Sequence, residues 1–306
     1  MKNSHIQLAK GHMKPFSNKK TAECVFRLDV KSNSIDECDI KVLDTCRGFY
    51  SDVVETAMND QYENQFFSIR KKLVDFFGKK KEIFHFDDND RKIVIRFINL
   101  AILRSEKSLN IVNETSITTK ILGNMSSDDL IRARLSGILK ENAFEDYAVL
   151  IIKNNTERNF VLPSNSYYFL SNIYKSFIVA EFLVLLPLTP KIAILLLPFK
   201  NNHRFLSEQK DIYLIIDEIN DIAIFNQYAL KTELEYDKKF IISKTKSELE
   251  YEKESTPEVM PTIDKLYQII VELALKCDSL EKKVAQLKLS GGGTCEGGGG
   301  GGGGGW

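Results

Sequence analysis

Between Cys24 and Asp44 the stretch CVFRLDVKSNSIDECDIKVLD alternates apolar and polar residues on either side of KSNS. A period of two broken by a polar cluster predicts two strands joined by a tight turn. From Ser51 to Phe77 the period changes: SDVVETAMNDQYENQFFSIRKKLVDFF spaces its apolar residues three and four apart, which places them on one face of a helix. DDNDRKIVIRFINLAILRS predicts a second helix, with Ile93, Phe97, Leu100 and Leu103 as its apolar stripe. Asp87 and Asp88 supply its N-cap and first-turn negative charge. Read as the start of a calcium loop, DDND lacks the Gly and the distal Glu that such a loop needs. SSDDLIRARLSGILK, residues 126–140, predicts a third capped helix.

The second half is rich in strands. YAVLIIK (147–153), NFVLP (159–163), EFLVLL (181–186), KIAILLL (191–197) and DIYLIID (211–217) are short apolar runs, followed by a helix in DEINDIAIFNQYALK and a last strand in KKFIIS. Helices first and strands later, without regular alternation, predict α+β architecture. The expected fold has a helix-rich N-terminal half, a mostly antiparallel sheet in the second half and a C-terminal coiled-coil helix. The most apolar stretch runs from Phe177 to Phe199, long enough for a membrane span. Glu181, Lys191 and three prolines interrupt it, and Pro187 and Pro190 fit punctuation between two buried strands. It reads as sheet core, and no membrane partner is expected.

Residues 244–261, KTKSELEYEKESTPEVMP, are charged and carry two prolines, as a linker would, so the globular domain is expected to span 1–243. Beyond it, Ile263, Leu266, Ile270, Leu273, Cys277, Leu280, Val284 and Leu287 fall at alternating spacings of three and four. The a positions are Ile, Ile, Cys and Val and every d is Leu, the preference of a parallel two-stranded coiled coil. Segment 262–289 is therefore expected to make a homodimer through residues 263–287, with Lys276 and Glu281 placed to pair across it. Ile269, Val271 and Leu275, outside the seam, leave open a single amphipathic helix packed on its own domain. Residues 294–306 read TCEGGGGGGGGGW. Poly-Gly loses the most backbone entropy on ordering, so 290–306 is expected to be a disordered tail. It reads either as a tether or cloning scar, or as a bivalent ligand in which paired copies of Cys295 and Trp306 meet a partner protein.

Charge and composition remove several function classes. Lys+Arg and Asp+Glu balance at 42 each, so net charge does not support a nucleic-acid partner. Basic runs such as Arg70-Lys71-Lys72 and Lys79-Lys80-Lys81 read first as solvated helix faces. Five cysteines, Cys24, Cys38, Cys46, Cys277 and Cys295, lack CxxC spacing. With no signal-peptide pattern at the Lys-bearing N-terminus, a reduced, cytoplasmic protein is expected. Neither GxxxxGK[ST] nor GxGxxG nor GxSxG occurs, which weighs against P-loop, Rossmann and nucleophile-elbow enzymes. His12, His85 and His203 lack ligand spacing, Cys24, Cys38 and Cys46 lack a second half-site, and Asp217-Glu218 reads as helix first-turn acids. No metal site is assigned, and the cofactor is unknown.

Several segments follow one another in a recognisable order. SHIQLAKGHMKPFS offers His5 and Phe16. FRLDVKSNSIDECDIKVLDTCRGFYS carries a hairpin and Phe49-Tyr50, and QYENQFFSIRKKL bears Glu63. RKIVIRFINLAILRS runs to Arg104, and FVLPSNSYYF, Pro187-Leu188-Thr189-Pro190 and Asn226 come later. This order resembles a bacterial family known as domain of unknown function 4238. Its motifs are His-Tyr-Val-Pro into Tyr-Leu-Arg-x-Phe, a hairpin with Phe-Tyr, a Glu-bearing helix, Arg-Thr-Pro, Phe-Ile-Thr-Ser-Asp-Asn-Pro-Val, Pro-Leu-Ser-Pro and a late Asn. The resemblance covers residues 5–243. It departs at Leu8, Glu106 and Ser166, where the family has Pro, and at Ser164, where it has Asp. The family brings no established activity, so it implies a fold more than a function.

The matching segments supply His5, Glu63, Arg104 and Asn165 as candidate catalytic residues. His serves as a base or ligand near neutral pH, Glu as its orienter or an acid, and Arg as a clamp for phosphate or carboxylate. The expected function is a bacterial intracellular effector, toxin-like or associated with phage defence, hydrolysing nucleic acid or a nucleotide. A structural alternative stands beside it: a buried Glu63–Arg104 pair bracing two helices, with His5 capping a turn. It belongs with a non-enzymatic dimeric sensor or binding module that displays the Gly-rich tail, a reading favoured by Ser164.

Overall fold

The structure, a computed structural model, describes residues 3–6, 8–18, 23–47, 49–78, 86–104, 129, 131–132, 144, 147–170, 183–198, 213–234 and 240–254. The KSNS hairpin forms as the alternation predicts. Strands β2 (Cys24–Asp29) and β3 (Ser34–Asp39) pair antiparallel, with Leu28 opposite Ile35. The Asp29 carboxylate accepts from Ser32 N at 2.8 Å, and Asn33 takes φ 52°, a left-handed conformation that Asn tolerates better than most residues. Strand β1 (Asn3–His5) pairs with β4 (Thr45–Arg47), and between β1 and β2 lies a short helix α1 (Lys10–Met13) that passes into a 3-10 turn.

The long helical stripe is not one uniform helix. Helix α2 (Asp52–Met58) is capped by Ser51, then widens into a π-helical segment at Asn59–Glu63 before α3 (Asn64–Phe77). Helix α4 spans Asp88–Arg104, and the Asp87 carboxylate caps it by accepting from Asp90 N at 2.8 Å. Phe66 of α3 stacks on Phe97 of α4 with ring centroids 3.7 Å apart.

A five-stranded sheet lies at the centre. Its order is β10 (Tyr213–Ile216), β5 (Tyr147–Asn154), β9 (Ile192–Pro198), β8 (Val184–Thr189) and β7 (Tyr168–Phe169). Alternate residues face opposite layers. Ile151, Leu186, Ile194 and Leu196 pack with α3 and α4, whereas Leu150, Ile152, Leu185 and Leu195 join a second core. Burial on both faces is why these strands read as continuous apolar runs. The second core includes Ile222, Phe225 and Ala229 of α5 (Ile219–Leu234), together with Leu28 and Ile241 from a four-stranded sheet. That sheet runs β3–β2–β11–β6, with β11 (Phe240–Ser243) central and β6 (Leu162–Pro163) at the edge.

The architecture is α+β with antiparallel and mixed sheets; β10 and β5 pair in parallel. Described residues of the Phe177–Phe199 stretch form β8 and β9, and among the described residues no helix is long and apolar enough to cross a membrane. Pro187 sits inside β8 at a register shift, where its missing N–H is tolerated. The expected linker needs correction. Lys246–Glu254 form helix α6, which buries Leu249 and Glu252 completely, so the globular body extends beyond residue 243. Residues 255–261 of that segment, the seam from Ile263 to Leu287, Cys295, Trp306 and most of the helix expected at 126–140 lie outside the described residues.

Candidate functional site

Strand β1 brings His5 to Thr45, and Asp44 receives the chain beside it. Asp44 adopts φ 57°, accepts from Ile6 N through its backbone and accepts from Leu8 N through its carboxylate. His5 Nδ1 lies 3.1 Å from the Leu43 carbonyl oxygen. A carbonyl only accepts, so Nδ1 carries the proton and Nε2 presents a lone pair. Nε2 has no hydrogen-bond partner among the described residues. Burial holds His5 below its ordinary value, the bond to Leu43 opposes this, and the Arg104 charge adds to the lowering. The imidazole is therefore neutral near pH 7, with Nε2 as its basic nitrogen.

Glu63 ends the π-helical segment and Arg104 ends α4. Arg104 Nη1 donates to Glu63 Oε1 at 2.7 Å, Nη2 to the His5 carbonyl at 2.6 Å and Nε to the Ile6 carbonyl at 3.1 Å. Tyr50 also donates to the Ile6 carbonyl, and its ring lies 5.6 Å from the guanidinium. Burial alone would lower Arg104, but the charge and hydrogen bond of Glu63 together with the charges of Tyr50 and Asp44 outweigh it, and the guanidinium sits above its ordinary value. One side chain thus ties α4, the π-helical segment and β1 together.

His5, Glu63 and Arg104 line a single cleft of about 410 Å³, with Lys10, Lys41 and Asn59 among its other walls. Glu55 also reaches it. Both lysines approach Glu23, Lys10 at 3.5 Å and Lys41 more closely. Gly11 belongs to this wall for a steric reason: a Cβ there would stand 2.4 Å from the Phe67 ring. Lys10 and Lys41 come from segments far apart from the helical run that carries Glu55, Asn59 and Glu63, and no spacing in the chain announces that the lysines converge on it.

Asn165 is placed elsewhere. It sits in the turn between β6 and β7, does not line the cleft, and its Oδ1 is buried without a partner among the described residues. Ser166 in the same turn has φ 71°, which a proline ring cannot adopt, so this turn differs from one built on Asn-Pro. His12 is fully buried beside the stacked rings of Phe66 and Phe97, and its Nε2 donates to the Pro187 carbonyl at 2.7 Å. Burial pushes it down to about 3. Asp217 and Glu218 are exposed ahead of α5, and Asp217 accepts from Asn155 at 2.9 Å. Among the described residues no group of three or more His, Cys, Asp or Glu side chains is placed to hold a metal ion.

A second buried polar cluster surrounds α6. The Glu252 carboxylate accepts from Arg158 at 2.6 and 3.0 Å and from Asn226 at 2.6 Å, while Gln227 reaches its backbone carbonyl at 3.2 Å. Burial raises Glu252 above the usual carboxylate range, and the Arg158 bonds oppose that. Asn226 also accepts from Val161 N and donates to the Asn159 carbonyl, so the cluster joins the β5–β6 connection, α5 and α6. Most of its groups are matched to one another, which marks it as structural; Arg158 Nη1 is buried without a hydrogen-bond partner among the described residues.

No family model, no curated protein and no solved structure matches this chain.

Proposed function

We propose that the cleft at His5 is a hydrolytic site for a phosphorylated substrate of nucleotide size, in an intracellular bacterial effector of the toxin or phage-defence kind. The observation that carries this reading is the locked His5 tautomer, with a free basic Nε2 at the wall of a cleft edged by Lys10 and Lys41. Nε2 takes a proton from water as its oxygen attacks phosphorus, and the P–O bond to the leaving group breaks. The two lysines offset charge developing on the phosphoryl oxygens. Glu63 and Arg104 act as positioning residues, because the guanidinium is occupied by Glu63 and the carbonyls of His5 and Ile6. A cleft of about 410 Å³ suits a nucleotide-sized molecule. The unbridged thiols of Cys24, Cys38 and Cys46 fit a reducing cytoplasm.

The saturation of Arg104 also favours a second reading, a non-enzymatic binding module dimerised through residues 263–287 that displays its tail to a protein partner. One experiment separates the two. Purified protein is assayed for phosphate release and strand cleavage against nucleoside triphosphates, single-stranded RNA and single-stranded DNA. Hydrolysis is expected, with an acid limb of its pH profile centred below 6.5 and lost in His5→Gln while the melting temperature holds. Equal turnover in His5→Gln defeats the proposal, and nucleotide binding without turnover selects the binding module.

A further inference from the structure

A second cleft, of about 460 Å³, opens further along α3, toward its C-terminal end. Arg70 comes from α3, Lys153 from the end of β5 and Lys191 from the turn between β8 and β9. All three line it, and so do the apolar side chains of Val74, Phe77 and Ile192. Among the described residues no carboxylate lines this cleft and none of its three cations makes an ion pair.

Each cation is held by something other than a counter-charge. Arg70 Nη1 donates to the Gly11 carbonyl at 2.7 Å, and the guanidinium lies 4.6 Å from the Phe67 ring centre. Burial pushes it down to about 10, as expected for a cation drawn from water without a partner. The Lys153 ammonium stands 5.5 Å from the centre of the Phe77 ring. Lys191 Nζ donates to the carbonyls of Thr156, Glu157 and Arg158 at 2.5, 3.1 and 3.2 Å, and burial lowers it against the attraction of Glu248 and Glu157. Val74 is 41% exposed, large and apolar at the rim. Three fixed positive charges over an apolar floor are complementary to an anionic head on an apolar body.

We propose that this cleft binds a small amphiphilic organic anion, a carboxylate or phosphate ester carrying a short aliphatic or aromatic body. Arg70 and Lys153 meet the head, Lys191 contributes a fixed charge, and Val74, Phe77 and Ile192 cover the body. The assignment is independent of the chemistry at His5, since no residue lines both clefts. A competing account holds that the cations only offset the carbonyl end of α3; it predicts stability effects and no ligand.

Isothermal titration calorimetry on the full chain tests it, with decanoate and decyl phosphate below their micelle concentrations as probes, and decanol and acetate as controls. Saturable one-to-one binding of either anion is expected, with decanol and acetate about tenfold weaker or worse. Lys153→Gln and Arg70→Gln should each weaken binding about tenfold, and Val74→Trp should fill the cleft and abolish it. Should Arg70→Gln fail to fold, Lys153→Gln and Val74→Trp carry the test from positions that are not fully buried. Decanol binding as tightly as decanoate, acetate binding as tightly as either amphiphile, or unchanged affinity in both Lys153→Gln and Val74→Trp overturns the proposal.

Discussion

His12 shows how far burial can move one side chain. Its ring packs beside the stacked pair Phe66 and Phe97, and its N–H anchors α1 to the carbonyl of Pro187. The folded state holds it neutral down to about 3, against 6.5 for a free imidazole, so between those values the unfolded chain binds the extra proton. Stability then rises with pH across this window, is complete above 6.5 and drains as pH falls toward 3. By pH 5 the loss amounts to about 2 kcal/mol. His12→Phe keeps the packing but orphans the Pro187 carbonyl, at a cost of about 1 kcal/mol. Urea unfolding should therefore find the wild type more stable at pH 7 and His12→Phe equal or more stable at pH 5. Parallel losses in the two proteins would show that His12 does not govern the acid limb.

At the level of elements, Arg104 joins what the chain separates widely: α4, the π-helical segment and β1. Arg104→Ala leaves the Glu63 carboxylate buried without its cation and removes a donor from the His5 and Ile6 carbonyls, of which Ile6 keeps the Tyr50 hydroxyl, for an expected loss of about 3–5 kcal/mol. Glu63→Gln keeps an acceptor for Nη1 and costs less. Measured by chemical denaturation, the double variant should be more stable than the sum of the single losses implies, by about 1–3 kcal/mol; strict additivity would mean the pair is not coupled. These elements differ in how openly the chain announces them. Asp87, the KSNS turn and the β8–β9 runs are legible because capping, turn chemistry and apolar period act within a few residues. The π-helical segment is invisible, since the stripe from Ser51 to Phe77 runs across Asn59–Glu63 without a break. The pairing of Ser243 with Phe26 and the parallel match of Tyr213 with Ile151 depend on distant partners that no local period encodes. Glu252 lies in a stretch so charged that it reads as solvated. It is buried because Arg158, 94 residues earlier, meets its charge. His5, Glu63 and Arg104 could be picked out by type and order, but the lysines at their rim could not.

Across the whole molecule the decisive boundary is the end of α6. A chain cut after residue 243 loses Leu249 from the core and leaves Arg158 buried without its carboxylate. Those two losses, about 2–5 and about 3–5 kcal/mol, are comparable to the entire stability of an ordinary domain. A chain cut after residue 254 keeps both groups. Thermal unfolding should thus give 1–254 a cooperative transition near that of the full chain and 1–243 none; cooperative unfolding of 1–243 would mean α6 is dispensable. The 1–254 fragment then becomes the right reference for the apolar heptads at Ile263 to Leu287. If those heptads pair two chains, light scattering should give the full chain twice 34.9 kDa and the fragment a single-chain mass. The alternative, one amphipathic helix folded back on its own domain, predicts a monomer in both and a lower melting temperature for the fragment, because the covered face would be exposed. Mass and melting temperature therefore move in opposite combinations under the two arrangements. A full-length mass of 34.9 kDa ends the homodimer and with it the side-by-side display of Cys295 and Trp306.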